Sequence, residues 1–136
     1  PPRSQGTNDV GAISKFPDGF ARFTNQTVDF MANASLLYGG KIHFFLTSGP
    51  MENTTFDATR AAVQQAAAAG LQATLIDMRS ACVGAQPLQP PASIGKSPNA
   101  DGCDGCAGHP GVEGHRGMFE AARPIIAQAM GWGAAA

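Results

Sequence analysis

The sequence has few charges and no long apolar run, and each shortage excludes a class of protein. Only 14% of the 136 residues are charged, and the formal net charge at pH 7 is −1. Such a chain has no basic surface to attract nucleic acid or an anionic membrane, so neither is predicted as a partner. No apolar stretch approaches the ~20 residues that a membrane-spanning helix needs. The hydrophobic content of 43% excludes a disordered chain, so we expect a single globular domain over residues 1–136.

Cysteine is scarce and occurs in an odd number, which allows at most one internal disulfide. The three cysteines are Cys82, Cys103 and Cys106. In an oxidising compartment we expect Cys82 to pair with either of the other two. That bond would join the proline-rich loop over residues 82–99 to the glycine-rich segment after it.

The sequence carries mixed signals for localisation. The first residues, Pro-Pro-Arg-Ser-Gln, lack the charged start and apolar core of a secretory signal peptide. Three Asn-x-Ser/Thr sequons, at Asn25, Asn33 and Asn53, nevertheless favour a secreted protein. The compartment is therefore left open, with an extracellular location favoured.

Hydrophobic periodicity predicts helices and strands in alternation. A helix is expected from Asp18 to the Gly39-Gly40 pair, followed by a strand over 41–47. A second helix over 58–69, with N-cap candidates in residues 54–57, is expected to end at Gly70, before a strand over 71–77. This order is typical of an α/β fold with a parallel sheet. The first helix is expected to bury one apolar stripe: Phe20, Phe23, Phe30, Met31, Ala34, Leu37 and Tyr38.

A terminal amphipathic helix is expected after the glycine-rich segment. Pro124 lies inside it and removes one backbone hydrogen bond, so we expect a kink near Glu120. Trp132 is expected to anchor its end. The predicted apolar face contains Met118, Phe119, Ala122, Ile125, Ile126, Ala129 and Met130.

The segment from Cys103 to His115 concentrates the residues capable of chemistry. It holds two of the three cysteines and two of the three histidines. Five glycines occur from Gly102 to Gly114, and glycine is costly in a helix or strand. The segment is therefore predicted to be a loop whose backbone needs positive φ or a close approach to another group. The remaining histidine, His43, lies in a short apolar strand pattern and is expected to be a packed residue rather than a ligand.

Two polar motifs together carry a resemblance to a known family. The first is Gly6-Thr7-Asn8-Asp9, and the second is Gly-Cys-Ala-Gly-His109-Pro-Gly-Val-Glu-Gly-His115, which precedes the final helix. In this order, with the alternating helices and strands between them, they resemble the SGNH (GDSL-type) hydrolases, which are serine esterases and lipases. The carbohydrate-deacetylating members are the most similar. The resemblance covers nearly the whole chain and implies a flavodoxin-like, three-layer α/β/α fold with a parallel sheet.

The resemblance implies roles for four residues and no cofactor or metal. Asn8 matches the asparagine whose side-chain amide donates to the oxyanion, and Gly6 allows the turn that places it. His109 matches the general base, and His115 is then a structural residue on the following helix. The family's acid lies three residues before the histidine, where this chain has Cys106. Asp104 is chosen to orient His109, with Asp101 or a backbone carbonyl as alternatives.

The chain lacks the first two sequence motifs of the family, the Gly-Asp-Ser that holds the nucleophile and a glycine that donates to the oxyanion. No Gly-Asp-Ser occurs in the sequence, and Pro1-Pro2-Arg3 cannot form the buried strand expected before Asn8. We therefore expect the C-terminal part of an esterase domain, lacking the first strands and the nucleophile, with at most residual activity alone. Its uncovered apolar surface should promote self-association. Ser48, in Ser-Gly-Pro, is interpreted as a turn residue and not as a nucleophile. The expected substrate is a small acyl ester, such as an acetyl group on a carbohydrate.

Two other functions stay open. The spacing Cys103-x-x-Cys106-x-x-His109 is compatible with a metal or redox loop, although no strand is predicted before the first cysteine. A domain that retains the esterase scaffold without a nucleophile could also be a non-catalytic binding module.

Overall fold

The computed structural model describes residues 10–49, 54–79, 81 and 110–133. They form an α/β protein with one short helix, three longer helices and a parallel pair of strands. The elements are, in chain order, α1 Val10–Ile13, α2 Gly19–Leu37, β1 His43–Ser48, α3 Phe56–Ala68, β2 Gln72–Asp77 and α4 Val112–Ala129. The predicted alternation of helix and strand is therefore confirmed. The chain divides into two compact units, one of residues 1–48 and 52–76, the other of residues 49–51 and 77–136.

The stripe predicted for α2 is not the face that this helix buries. Phe30, Leu37 and Tyr38 are 59%, 84% and 69% exposed, whereas Met31 of the same stripe is fully buried. The helix was predicted correctly and its buried face was wrong, because that face is largely polar. Its buried residues are Gly19, Thr24, Thr27, Met31 and Ser35.

Hydrogen bonds allow α2 to bury hydroxyl groups where apolar side chains were expected. Thr24 Oγ1 donates to the carbonyl oxygen of Ala58 in α3 at 3.2 Å. Thr27 Oγ1 donates to the carbonyl oxygen of Phe23 at 2.8 Å. A buried hydroxyl left unpaired costs about 1–3 kcal/mol, a penalty that these two bonds remove. The first bond also links two helices that lie far apart in the sequence.

The alanine-rich helix α3 supplies the small side chains on which the core of the first unit is built. Ala62 and Ala66, one turn apart, are completely buried. They form a cluster with Met31 of α2 and Leu46 of β1, and half-buried apolar side chains surround it. Because alanine adds almost no thickness, α2 and β1 both pack closely on α3. The prediction that this helix faces the core is confirmed.

Both ends of α3 follow the sequence prediction, with one difference. Thr55 takes the N-cap position, but its side chain makes no capping hydrogen bond. Its carbonyl oxygen instead accepts bonds from the backbone N–H and the hydroxyl of Thr59, both at 2.9 Å. At the other end Gly70 adopts a φ of 81°, which ends the helix and turns the chain toward β2.

The two strands pair directly and are joined by α3, as a parallel βαβ connection requires. His43 of β1 and Thr74 of β2 face each other, with Nε2 and Oγ1 2.8 Å apart. The imidazole also stacks on Phe45, two residues along the strand, with ring centroids 4.5 Å apart. The prediction of His43 as a packed strand residue is confirmed.

In the second unit α4 continues through Pro124 to Ala129. Part of its predicted apolar face is half-buried: Met118, Ala122, Ile125, Ile126 and Ala129. Phe119 and Met130 were predicted on that face but are 61% and 44% exposed. The prediction of Trp132 as an anchor was also wrong, since its side chain is 62% exposed. The kink near Glu120 stays a prediction.

Candidate functional site

The residues predicted from the resemblance, Gly6, Asn8, Asp104 and His109, lie outside the described part of the chain, as do the three cysteines. Their predicted roles stay predictions. The structure does describe the helix that follows each motif. Helix α1 begins at Val10, two residues beyond Asn8, and α4 begins three residues beyond His109. Each motif therefore leads directly into a helix.

The start of α4 shows how the segment after His109 is supported. Gly111 is extended at the N-cap, and its carbonyl oxygen accepts the N–H of His115 at 2.9 Å. The His115 side chain is exposed on the first turn, as expected for a helix-face residue. A Cβ atom at Gly117 would overlap the carbonyl oxygen of Ala81. The α4 backbone thus lies directly against the segment that follows β2.

An acidic and a basic side chain pair where β2 ends. Asp77 Oδ1 accepts the Nε–H and the backbone N–H of Arg79 at 2.9 and 3.0 Å, and Oδ2 accepts from Nη2 at 2.6 Å. These hydrogen bonds, the side-chain ones first, hold the pKa of Asp77 below its usual range. The two side chains are 43% and 39% exposed, so water screens the pair and its contribution to stability is small. Its main effect is to shape the turn after β2.

Sequence reasoning treated Asp77 only as the end of a strand and did not identify this pair. A signal was available, since an acidic residue directly after a buried apolar strand is often held by a nearby hydrogen-bond donor. The motif Asp77-Met-Arg79 supplies both partners within one turn.

The backbone beyond β1 makes a close contact with the same turn. Gly49 has a φ of 86°, a conformation that residues with a Cβ rarely adopt. A Cβ there would stand 2.7 Å from both the Cα and the backbone nitrogen of Arg79. Only glycine fits this approach.

Ser48 is the last residue of β1 and is 3% exposed. The expectation that it lies in a turn was therefore wrong, because the strand extends one residue beyond the predicted end at Thr47. Its Oγ has no hydrogen-bond partner within the described part of the chain. A hydroxyl removed from solvent is poorly placed to attack an ester, and the interpretation that Ser48 is not a nucleophile stays a prediction.

We predict that Ser48→Ala leaves the free energy of unfolding unchanged or raises it by about 1 kcal/mol, because it removes a buried hydroxyl without a partner. Thr74→Val is the matched control, since it also removes a strand hydroxyl but one that bonds His43. That change should cost about 0.5–1.5 kcal/mol. Urea denaturation of both variants measures the difference. A Ser48→Ala variant less stable than Thr74→Val would contradict the assignment of an unpaired hydroxyl.

A shallow groove of about 310 Å³ lies in the first unit. It is lined by Ala32, Ser35, Leu36, Gly39, Gly40 and Leu71. None of these side chains titrates near neutral pH, so the groove offers no acid or base. In the described ranges no group of histidine, cysteine and carboxylate side chains could hold a metal ion. No helix in those ranges is sufficiently long and apolar to cross a bilayer.

The described chain is an α/β protein whose last helix follows a histidine-bearing segment. Comparison with protein-family models, curated proteins and solved structures finds no match. Function must therefore be inferred from the chain's own residues.

Proposed function

We propose that this chain is the part of an SGNH-type serine esterase domain that carries the oxyanion donor and the general base. The observation that carries the proposal is the order of two motifs, with Asn8 directly before α1 and His109 directly before α4. Between them lie the alternating helices and the parallel strands. That arrangement is compatible with the three-layer, flavodoxin-like domain that the resemblance implies.

In this proposal each motif residue has one chemical task. His109 accepts the proton of a serine hydroxyl as the serine attacks the ester carbonyl, and it returns the proton to the leaving alcohol. The Asn8 amide donates to the oxyanion, and Gly6 permits the turn that aims it. Asp104, Asp101 or a backbone carbonyl orients the imidazole. The proposed substrate is a small acyl ester, such as an acetyl group on a carbohydrate.

The serine of this mechanism is assigned to a segment of the parent domain outside the 136 residues. The 136 residues contain no Gly-Asp-Ser motif. Ser48, the serine that follows a strand as a nucleophile would, is buried. The proposal of His109 as the base is supported by the packing of the helix that follows it. Because the backbone of α4 at Gly117 lies against Ala81, the helix after His109 is packed rather than loose. A catalytic group needs such support to hold its geometry.

The two histidines of the same segment provide the test. In the full-length protein encoded by the gene, His109→Ala should lower kcat for p-nitrophenyl acetate hydrolysis by roughly 10⁴-fold, since it removes the base. His115→Ala is the matched control and should stay within a few-fold of the parent, because that side chain is exposed on α4. Asn8→Ala should cost about 10²–10³-fold.

Two results would refute the proposal. One is a full-length protein in which His109→Ala and His115→Ala hydrolyse the ester equally well. The other is tightly bound zinc that is lost on replacing Cys103, Cys106 or His109, which would support a metal loop. An inactive full-length protein that binds acetylated oligosaccharide would instead support a binding module.

A further inference from the structure

The C-terminal half of α2 exposes an apolar patch, defined here as Phe30, Leu36 and Leu37. These side chains are 59%, 80% and 84% exposed. Contiguous apolar surface on a soluble protein is a site of association unless something covers it. A group that covers the patch would therefore prevent association through it.

A modifiable side chain lies at the centre of this patch. Asn33 is three residues from Phe30 and Leu36 and four from Leu37, and residues at these spacings are neighbours on a helix surface. At 100° per residue Asn33 also points away from the buried face that contains Met31. It is exposed and begins the sequon Asn33-Ala-Ser35.

We infer that Asn33 is an N-glycosylation site and that its oligosaccharide covers the apolar patch of α2. The donor class is a lipid-diphosphate-linked oligosaccharide. The amide nitrogen of Asn33 forms a bond to C1 of the terminal sugar while the bond from C1 to the diphosphate oxygen breaks. The amide loses one proton, the lipid diphosphate leaves with the bonding electron pair, and nothing is oxidised or reduced.

The burial of the sequon sets the time of transfer. Ser35, whose hydroxyl completes the sequon, is 8% exposed in the folded helix. Transfer must therefore precede the packing of α2 on α3, while the chain is still extended. Afterwards the glycan on exposed Asn33 fits the fold without displacing any buried group.

A glycan explains the patch better than a docked protein. A protein partner would bury the Asn33 amide at the centre of an apolar interface, and an amide without a partner is costly there. An attached oligosaccharide uses that amide as its point of linkage and keeps the surface hydrated.

A second sequon on the same helix is the matched control. Asn25 is also exposed, but its helical neighbours include Arg22 and Asp29, both exposed and charged. A glycan at Asn25 would cover no apolar patch. Asn53, the third sequon, lies outside the described residues.

The modification is tested on protein purified from the organism that makes it. Peptide mapping before and after peptide N-glycosidase treatment should show glycan on Asn33 and its conversion to aspartate on release. An unmodified Asn33 in the purified protein would overturn the inference.

The covering role is tested by sedimentation velocity of variants made in the same organism. Asn33→Gln should shift the protein to larger species, whereas Asn25→Gln should leave its association state unchanged. Adding Leu37→Lys to Asn33→Gln should restore the original association state, because it disrupts the patch itself. Equal behaviour of the two glutamine variants, or failure of the rescue, would show that the glycan does not cover the patch.

Discussion

Replacing Gly49 with alanine should lower the free energy of unfolding by about 3 kcal/mol or more, a large share of the ~5–15 kcal/mol that stabilises an ordinary domain. Two costs combine at this position. A residue with a Cβ pays roughly 1–2 kcal/mol for the left-handed conformation that Gly49 adopts. The added methyl would also stand 2.7 Å from backbone atoms of Arg79. Backbone atoms cannot rotate away, so the turns after β1 and β2 would have to separate.

Gly70→Ala separates the two costs. Gly70 has nearly the same φ, 81° against 86°, but a Cβ there meets no atom within 4 Å. We expect that variant to lose only about 1–2 kcal/mol, the conformational cost alone. Chemical denaturation of both variants gives the difference. If they were equally destabilised, the close approach of Gly49 to Arg79 would be refuted.

Replacing Gly117 with alanine should also destabilise the protein, by about 1–3 kcal/mol, against the usual effect of this change in a helix. Alanine normally stabilises a helix by about 1 kcal/mol relative to glycine. At Gly117 the new methyl would overlap the carbonyl oxygen of Ala81. Either α4 moves away or the segment after β2 shifts, and both changes lose packing.

The control for Gly117 is Gly11→Ala in α1. Gly11 is exposed and a Cβ there meets nothing within 4 Å, so this variant should keep or slightly raise its melting temperature. Because α4 follows His109, Gly117→Ala should also reduce ester hydrolysis by the full-length protein more than Gly11→Ala does. A stabilised Gly117→Ala variant would show that α4 does not rest on Ala81.

The helices and strands were predictable because their signals are local. Gly39 and Gly70 both adopt positive φ at the ends of helices, as their positions in the sequence suggested. The run over 41–47 reads as a buried strand from its own residue types. The parallel pairing then follows from the helix between the strands.

The buried face of α2 was not predictable from periodicity. By hydrophobic spacing, a stripe that includes Phe30 and Leu37 is predicted to face the core. The helix instead buries Thr24, whose hydroxyl donates to a carbonyl oxygen 34 residues away. No pattern within α2 contains that partner. Because the face with Thr24 is buried, the apolar patch around Asn33 on the opposite face is exposed.

The motif residues Asn8 and His109 came from the sequence alone, and the structure contributes the helices that follow them. The burial of Ser48 and the contact of Gly117 with Ala81 came only from the structure, since each depends on atoms distant in the chain.

The type and order of the longer helices and the two strands are therefore specified locally, because backbone conformation responds to glycine, proline and local hydrophobic spacing. Tertiary structure alone decided which face of each helix is buried and where backbones approach too closely for a Cβ. Both depend on partners that the chain brings together only when it folds.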